Sequence, residues 1–263
     1  MTAPYGALHL IPNALDLGAS DAAANLGEVL PLGVLRVAAG LQHWVAENAK
    51  TTRAFLKRVD AVVPLAHPLQ SIEIVELPRP QKGSAPSADS AALRGLLAPA
   101  LAGQDVGLIS EAGLPAVADP GALLVEAAHG LGVRVVAWPG ASSLLLALAA
   151  SGLNGQSFAF VGYVPTEAAA RAARIRALET ASRQLAQTQL IIETPYRNEA
   201  LLGALLDHLQ PTTRLSVSAG LTLPGARTRT DTVAGWRHRR EPLESDVPTV
   251  FALLAPGRDV GRR

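Results

Sequence analysis

Three loops rich in glycine, proline and small polar residues offer the clearest chemistry in this sequence. They are PNALDLG (residues 12–18), SEAGLPAVADPG (110–121) and PGASS (139–143), and each follows a short apolar run typical of a buried strand. Glycine lets the backbone approach a ligand closely, and the N–H groups at the start of a helix suit a carboxylate or a phosphate. Any one of these loops is most simply a turn or a helix cap. Together, at the ends of three strands, they predict a ligand cleft.

Several common catalytic and binding motifs are missing from the sequence. It has no G-x-x-x-x-G-K-[ST] phosphate loop, no G-x-G-x-x-G dinucleotide loop, no G-x-S-x-G hydrolase motif and no H-E-x-x-H. It has no cysteine, and its six histidines are scattered. We therefore predict no metal site, and no thiolate chemistry.

Charge and composition favour a cytoplasmic protein with no membrane segment. The net charge is +1, from 23 basic and 22 acidic residues, which is little for holding a long nucleic acid by charge alone. Basic residues cluster at 171–183 and 227–240, and ordinary solvated faces are the simplest interpretation of each cluster. The first residues show no signal-peptide pattern, and no apolar run is long enough to span a bilayer.

Short apolar runs alternate with helical stretches along the chain. This pattern predicts an α/β protein with largely parallel sheets. The alternation of strands and helices restarts near Pro139 and Gly140. We therefore predict two α/β domains, residues 1–139 and 140–263, each with a mixed, largely parallel sheet. Within the second loop, Asp119 and Pro120 predict the start of a helix, with the Asp119 side chain as its cap.

The middle of the chain resembles a known enzyme family. GLISEAGLPAVADPG (107–121), followed by VRVVAWPGASSLLLALAASGL (133–153), resembles the tetrapyrrole methylase family. It is closest to the 16S rRNA 2′-O-ribose methyltransferase branch, which has a similar "SDAGTP…DPG" and "PGP". Farther along, SFAFVGYVP (157–165) and LIIETPYRNEALLGAL (190–205) resemble that branch's "F-x-GF-x-P" and "YES-x-HR" segments.

The resemblance implies a tetrapyrrole methylase-like fold, S-adenosylmethionine in a cleft between the two domains, and a homodimer. It implies rRNA, or the small ribosomal subunit, as the partner that is methylated. The positions that match the family's cofactor contacts are Leu114, Pro115, Val117, Ser142, Ser143, Ile192 or Glu193, Ala219 and Pro248.

A hydroxyl acceptor requires a group that takes its proton. Glu47, Glu111 and Glu193 each follow a predicted strand, and Glu47 and Glu111 are our catalytic candidates. For any one of these acids, a helix cap or an ion pair is the simpler explanation. The residues that we expect to contact the acceptor are Arg53, Arg171, Arg174, Tyr196 and Arg197.

The sequence departs from the rRNA branch at two segments. That branch's "AEDTR" corresponds here to Glu47-Asn48 and Thr52-Arg53, with three residues inserted between them, and its "REL-T-K" corresponds to SAGLTLPG (218–225). The G-x-G-x-G-D loop of the porphyrin-modifying members is replaced by residues 12–18, which counts against a tetrapyrrole acceptor, whereas the other two departures count against rRNA. Two alternatives therefore stay open: a small-molecule, tetrapyrrole-like acceptor, and a non-catalytic protein that binds S-adenosylmethionine.

Overall fold

The computed structural model describes residues 5–16, 26–78 and 91–257. The chain divides into two compact units, Met1–Ser142 and Ser143–Arg263. Leu17 and Gly18, which belong to the first predicted loop, lie outside the described residues. Within the described ranges, no helix is both long enough and apolar enough to cross a membrane.

The first unit contains a parallel five-stranded sheet with the strand order β3-β2-β4-β1-β5. Its strands are β1 (Ala7–Leu10), β2 (His43–Ala46), β3 (Glu73–Glu76), β4 (Val106–Ile109) and β5 (Arg134–Ala137). Its helices are α1 (Leu26–Val29), α2 (Leu32–Gly40), α3 (Ala49–Asp60), α4 (Ala91–Leu96), α5 (Ala98–Leu101) and α6 (Ala122–Gly130), with a 3₁₀ turn at Leu69–Ser71. Two apolar clusters form its core, one around Trp44 and Phe55 and one around Leu8 and Leu108.

The strand order of the first sheet creates a switch point between β1 and β4. These two strands are neighbours, but the chain leaves β1 towards β2 on one side and leaves β4 towards β5 on the other. In open parallel sheets, ligands bind in the crevice at the carboxyl ends of two such strands. The loops that follow β1 and β4 are therefore placed where a ligand site is expected.

The second unit contains a five-stranded mixed sheet in the order β6-β7-β10-β8-β9. Its strands are β6 (Phe158–Phe160), β7 (Thr188–Ile192), β8 (Arg214–Ala219), β9 (Arg227–Thr232) and β10 (Thr249–Leu254). Its helices are α7 (Ser143–Ser151), α8 (Ala168–Leu185), α9 (Asn198–His208) and α10 (Val233–His238), and a 3₁₀ turn, Pro195–Arg197, precedes α9. Its core surrounds Trp236 and Phe251, and the Trp236 indole N–H donates to the Leu215 carbonyl at 2.9 Å.

The α/β architecture is confirmed, but two sequence predictions need correction. The second sheet is not largely parallel: only β6 and β7 pair in parallel, because β9 returns beside β8 after a short connection and β10 runs antiparallel to both of its neighbours. The helix after β4 does not start at Asp119. It starts at Ala122 with Gly121 in the capping position at φ 125°, and no side chain caps it.

Candidate active site

The loops that follow β1 and β4 are joined by a backbone pair at the switch point. The Asn13 N–H donates to the Gly113 carbonyl at 2.8 Å, and the Gly113 N–H donates back to the Asn13 carbonyl at 3.1 Å. Gly113 has a φ of 69°, and a Cβ added there would lie 3.3 Å from the Leu15 side chain. Glycine therefore suits both the backbone conformation and the tight packing of this position.

The side chain of Asn13 reinforces the same junction. Its Nδ2 donates to the carbonyls of Ser110 at 3.2 Å and Glu111 at 3.0 Å, while its Oδ1 accepts from the N–H of Ala14 at 2.8 Å. Asn13 is only 7% exposed, so these contacts are shielded from water. Sequence reasoning included Asn13 in the first loop but gave it no role, although a short amide side chain in a loop often bonds to nearby backbone.

The loop after β4 holds four residues in left-handed backbone conformations. These are Gly113, Ala116, Ala118 and Gly121, with φ values of 69°, 65°, 63° and 125°. An alanine in this region is uncommon, and such strain costs about 1–3 kcal/mol per residue and is concentrated at functional sites. The predicted cofactor contacts Leu114, Pro115 and Val117 lie within this strained segment, with Pro115 buried and Val117 exposed.

The third predicted loop packs against the first. A Cβ added at Gly140 would lie 2.2 Å from the Pro12 Cβ, so only glycine fits there. Ser142, which we predicted as a cofactor contact, is 9% exposed and ends the first unit, and Ser143 begins α7. The structure therefore brings the loops after β1, β4 and β5 together at one edge of the first sheet.

Three carboxylates gather beside these loops. The Oε2 of Glu47 accepts from the N–H of Glu111 at 3.1 Å, and the N–H of Glu47 donates to the Ile109 carbonyl at 3.2 Å. Burial, followed by the charges of Glu47 and Glu111, raises the pKa of Asp119 to about 6. The Asp119 carboxyl group therefore exchanges its proton close to neutral pH, which is the range that suits a general base.

Sequence reasoning identified Glu47 and Glu111 as candidate bases but missed Asp119. We predicted Asp119 to cap a helix, because Asp-Pro-Gly is a typical helix-start pattern. The sequence does place Asp119 in the same loop as Glu111, eight positions earlier, and this shared loop could have indicated that Asp119 is a candidate base.

Helix α3 carries one predicted acceptor contact and one ion pair that the sequence did not reveal. Arg53 is exposed on this helix, whose first turn is capped by the Asn48 side chain through Lys50 and Thr51. The Arg58 guanidinium forms two hydrogen bonds to Asp16, at 2.7 and 3.3 Å. Since Asp16 belongs to the loop after β1, this pair fixes α3 to that loop.

In the second unit, three predicted cofactor positions lie at one edge of the sheet. Ile192 ends β7 and Ala219 ends β8, and both pair with the first residues of β10, with Ile192 opposite Val250 and Ala219 opposite Thr249. The carbonyl of Pro248 accepts from the Gly220 N–H at 3.0 Å. Ile192, Ala219 and Pro248, which are far apart in sequence, are therefore neighbours at this edge.

At the same edge, the buried Glu193 forms an ion pair with the half-buried Arg197. Their side chains are 3% and 24% exposed, and an Arg197 Nη2 lies 3.0 Å from a Glu193 Oε2. The other carboxylate oxygen accepts from the Thr194 N–H at 2.8 Å. Glu193 is thus fully engaged and is poorly placed to accept a proton from a substrate, whereas the neighbouring Tyr196 is 73% exposed.

The two basic clusters differ in their surroundings. Arg174 is exposed on α8 and Arg171 is half-buried one turn earlier. In the second cluster, the Arg229 guanidinium stacks on Trp236 at 4.0 Å and bonds to Asp231 at 3.1 Å. Arg237 donates to the Leu206 carbonyl through its Nε at 2.9 Å. Arg229 and Arg237 therefore make stabilising contacts within the second unit, and their charges are not available on an open surface.

The chain is similar to known methyltransferases. The chain matches the family described as Tetrapyrrole (Corrin/Porphyrin) Methylases over residues 42–235. It is 44% identical over 105 residues to a Pseudomonas aeruginosa protein named ribosomal RNA small subunit methyltransferase I, across 40% of this chain and 35% of that protein. It is 38% identical over 161 residues to the Mesorhizobium japonicum protein of the same name, across 61% and 53%. The chain thus spans about a third to a half of these curated relatives.

Solved structures share the fold. The uroporphyrin-III C-methyltransferase of Thermus thermophilus, in complex with S-adenyl homocysteine, superposes with a TM-score of 0.51 at 18% identity, across 95% of this chain and 97% of that one. The family match covers most of the chain and includes the strained loop, the carboxylates and the Glu193–Arg197 pair. This chain belongs to the tetrapyrrole methylase family.

Proposed function

We propose that this protein is an S-adenosylmethionine-dependent methyltransferase that methylates rRNA, at a ribose 2′-hydroxyl or a related acceptor. The observation that carries the proposal is the strained loop after β4, fixed to the loop after β1 at the switch point, within the segment that matches the family. The names of the relatives support a ribosomal RNA acceptor.

The residues of the first unit suit this cofactor. When bound, S-adenosylmethionine supplies a methyl group already activated by a positively charged sulfur. The carboxylates of Glu47, Glu111 and Asp119 give their surroundings a negative potential that favours a cation. Gly113 and Gly140 let the backbone pack closely around the crevice. We propose that Leu114, Pro115 and Val117 form its wall, and that Ser142 and Ser143 contribute hydroxyl groups.

We further propose that Ile192, Ala219 and Pro248, which lie together in the second unit, contact the cofactor, and that Glu193 acts by holding Arg197. The cationic end of Arg197 and the exposed ring of Tyr196 then face the acceptor. Arg53, Arg171 and Arg174 supply positive charge for contacts with RNA phosphates. Such contacts increase the affinity but do not distinguish one base sequence from another.

The reaction needs alignment and a proton acceptor. With the cofactor bound, the loops would align the methyl donor with the acceptor hydroxyl and exclude water, which would lower the entropic part of the barrier. Among the three carboxylates, we propose that Asp119 takes the hydroxyl proton, because burial, followed by the charges of Glu47 and Glu111, keeps its pKa high. The Glu47 carboxylate also fixes the loop through the Glu111 N–H.

We propose a cytoplasmic homodimer, because ribosomal subunits are cytoplasmic and exposed apolar residues offer an interface. Helix α7 packs one face on the second sheet. Leu145 and Leu146 of the same helix remain 52% and 38% exposed. Such unpartnered apolar side chains commonly mark an interaction surface. Light scattering at micromolar concentration should give twice the mass of the chain, and a monomer would remove this part of the proposal.

The decisive experiment is transfer of labelled methyl from S-adenosylmethionine. Small ribosomal subunits that lack the modification should be labelled, whereas a tetrapyrrole should not. Pro115→Asp, which places a charge in the loop wall, should abolish transfer and cofactor binding, and Pro64→Asp, at an exposed turn, should leave both unchanged. Labelling of the tetrapyrrole alone would favour the small-molecule alternative. Cofactor binding without transfer to either acceptor would favour the non-catalytic one.

A further inference from the structure

A groove opens in the second unit where β8 begins and β10 ends. Arg214 and Leu254 pair at this end of the sheet, whereas Ala219 and Thr249 pair at the end that holds the proposed cofactor contacts. The volume of the groove is about 560 Å³. Its polar lining consists of Arg176, Glu179, Thr180, Arg183, Gln210 and Thr212. None of these residues belongs to the proposed methyl-transfer site.

Two arginines of helix α8 bring positive charge to the groove. Arg176 and Arg183 are seven positions apart, which is about two helical turns, so they lie on one side of the helix, about 10 Å apart along its axis. At about 3.6 residues per turn, Arg171 and Arg174 lie on a different side of α8. The groove is therefore separate from the helix face that we propose for the acceptor RNA.

The charge of Arg176 is open to the groove. Arg176 is exposed, and its guanidinium has no hydrogen-bond or ion-pair partner within the described ranges. Arg183 is half-buried, and its Nη2 lies 3.9 Å from the Oε2 of Glu179, which is long for an ion pair. The groove therefore has at least one guanidinium whose charge and N–H donors are free to bind an anion.

Glu179 is the one acid among the described residues that line the groove, and its side chain is buried and engaged. It is 5% exposed, and its Oε1 accepts hydrogen bonds from the Gln210 N–H, at 2.8 Å, and from the Thr213 hydroxyl. Gln210 and Thr212 are exposed, so their side-chain amide and hydroxyl can donate to a ligand. Two arginines against one engaged carboxylate leave the lining with a positive charge.

The groove continues towards a third arginine. Thr212, Pro256 and Gly257 line both this groove and an adjoining cavity of about 230 Å³, which Arg214 also lines. One Nη2 of Arg214 donates to the Gly152 carbonyl at 3.2 Å. Because that acceptor is neutral, Arg214 keeps its full charge, and its remaining N–H groups can bind an anion. The rest of the lining of the adjoining cavity is uncharged and consists of Asn154, Ala186, Leu254 and Ala255.

The spacing of these charges restricts the chemistry of the ligand. A single small oxyanion would fill only a small part of about 560 Å³. Two arginines spaced about 10 Å along a helix, with a third beyond them, match an anion whose charges are spaced along a chain. Phosphate groups suit these side chains, because the planar guanidinium forms paired hydrogen bonds with two phosphate oxygens. The described lining contains no aromatic side chain on which a base could stack.

We propose that this groove binds consecutive phosphates of an RNA strand. Arg176, Arg183 and Arg214 contact the backbone oxygens, so the groove increases affinity without distinguishing one base sequence from another. In the second unit it lies at the other end of the sheet from the proposed cofactor contacts, so it holds a part of the RNA away from the methylated nucleotide. The identification of the anion as RNA rests on the proposed function, whereas the binding of linked phosphates does not.

The test is the binding of a fluorescently labelled, single-stranded oligoribonucleotide to the full chain, followed by anisotropy over a range of salt concentrations. Arg176→Gln combined with Arg214→Gln removes two charges that form no ion pair within the described ranges, so the fold should be retained. We expect this double variant to bind RNA roughly tenfold more weakly. The log–log salt slope should fall by about 1.4, because each phosphate contact with a single strand contributes about 0.7. The matched control, Arg36→Gln combined with Arg134→Gln at exposed positions of the first unit, should change neither quantity.

Two further measurements separate this groove from the proposed function and identify its anion. In methyl transfer to small ribosomal subunits, the double variant should show a raised KM and an unchanged kcat. RNA that binds through the groove but is never methylated by the unaltered chain would remove the proposed function and support the groove. Inorganic tripolyphosphate, which has linked phosphates but no ribose, should bind more weakly than the oligoribonucleotide.

Three results would overturn the proposal. An RNA affinity and a salt slope that stay the same in the double variant would mean that the groove does not contact phosphates. Equal losses in the control would reflect net charge alone. Tripolyphosphate that binds more tightly than RNA, and that loses this affinity in the double variant, would assign the groove to a free polyphosphate.

Discussion

Asn13 and Gly113 are separated by a hundred positions, yet each donates a backbone hydrogen bond to the other, at 2.8 and 3.1 Å. Their pairing joins the loops after β1 and β4 at the switch point, where the chain continues from β1 to one side of the sheet and from β4 to the other. The Asn13 amide adds two bonds to the carbonyls of Ser110 and Glu111. Asn13 therefore fixes the loop after β4 to the loop after β1.

The first prediction is that Asn13→Asp weakens cofactor binding. The variant keeps the oxygen that accepts from Ala14, but it replaces the donating amide with a second oxygen that faces two carbonyls. We expect a loss of about 1–3 kcal/mol in stability and a weakening of S-adenosylmethionine affinity of tenfold or more, measured by calorimetry. The matched control is Asn154→Asp, which removes an amide bond to the Ala186 carbonyl in the second unit. A variant that loses stability like the control but binds the cofactor normally would deny Asn13 this role.

The second prediction concerns pH and Asp119. Its pKa in the folded protein is about 6, above the ordinary value of 3.8, so the folded state binds more protons than the unfolded state between these values. The stability that protonation of this group confers is therefore complete below about pH 4 and is lost as the pH rises through 6. Asp119→Asn removes the ionised form, so it should raise the melting temperature at pH 8 and leave it nearly unchanged at pH 4.

The same variant should lose methyl transfer while gaining stability at high pH, since the proton acceptor is removed. Asp207→Asn, at an exposed position on α9, is the control and should show no such pH-dependent difference. Equal melting temperatures of the Asp119→Asn variant and the unaltered protein at pH 8 would contradict the raised pKa. Full activity in the variant would exclude Asp119 as the base.

The three loops of the proposed site could be predicted from the sequence because their signals are local. Glycine and proline at the ends of apolar runs indicate loops wherever the rest of the chain lies, so the loops after β1, β4 and β5 could be identified directly. In the second unit, Ile192, Ala219 and Pro248 were predicted as cofactor contacts from the family resemblance alone. Their proximity depends on β10 entering between β7 and β8, and no local pattern predicts that pairing.

The features that the sequence did not reveal depend on contacts between distant segments. Ala116 and Ala118 carry no signal for a left-handed conformation, because alanine prefers a right-handed one. The raised pKa of Asp119 likewise depends on Glu47, from the loop after another strand, and on burial. The Arg58–Asp16 pair joins a helix to a loop 42 positions away.

The third prediction is that Glu193 stabilises the second unit rather than accepting a substrate proton. Removing one charge of a fully buried ion pair leaves the other uncompensated and costs about 3–5 kcal/mol, and the partial exposure of Arg197 places this pair towards the lower end. Glu193→Gln and Arg197→Met should each lower the free energy of unfolding by several kcal/mol, and the double variant should lose less than the sum of the two. The matched control is the exposed pair Glu199 and Arg240, 2.6 Å apart, for which a coupling of about 1 kcal/mol or less is expected. Additive losses at Glu193 and Arg197 would contradict the coupling.

The last prediction tests the RNA acceptor through α8. Arg171 and Arg174 are three positions apart on this helix, so they project from the same side, and Arg174 is exposed. Phosphate contacts release counterions, so each one steepens the dependence of affinity on salt. Replacing both residues with Glu should weaken binding of small-subunit rRNA and reduce the log–log salt slope by roughly one to two. S-adenosylmethionine affinity should not change, because neither residue belongs to the proposed cofactor loops. The control is Arg227→Glu with Arg240→Glu, a pair of arginines on the second basic cluster. RNA binding that responds equally to both double variants would reflect net charge alone, and binding indifferent to the α8 variant would remove this helix from the acceptor site.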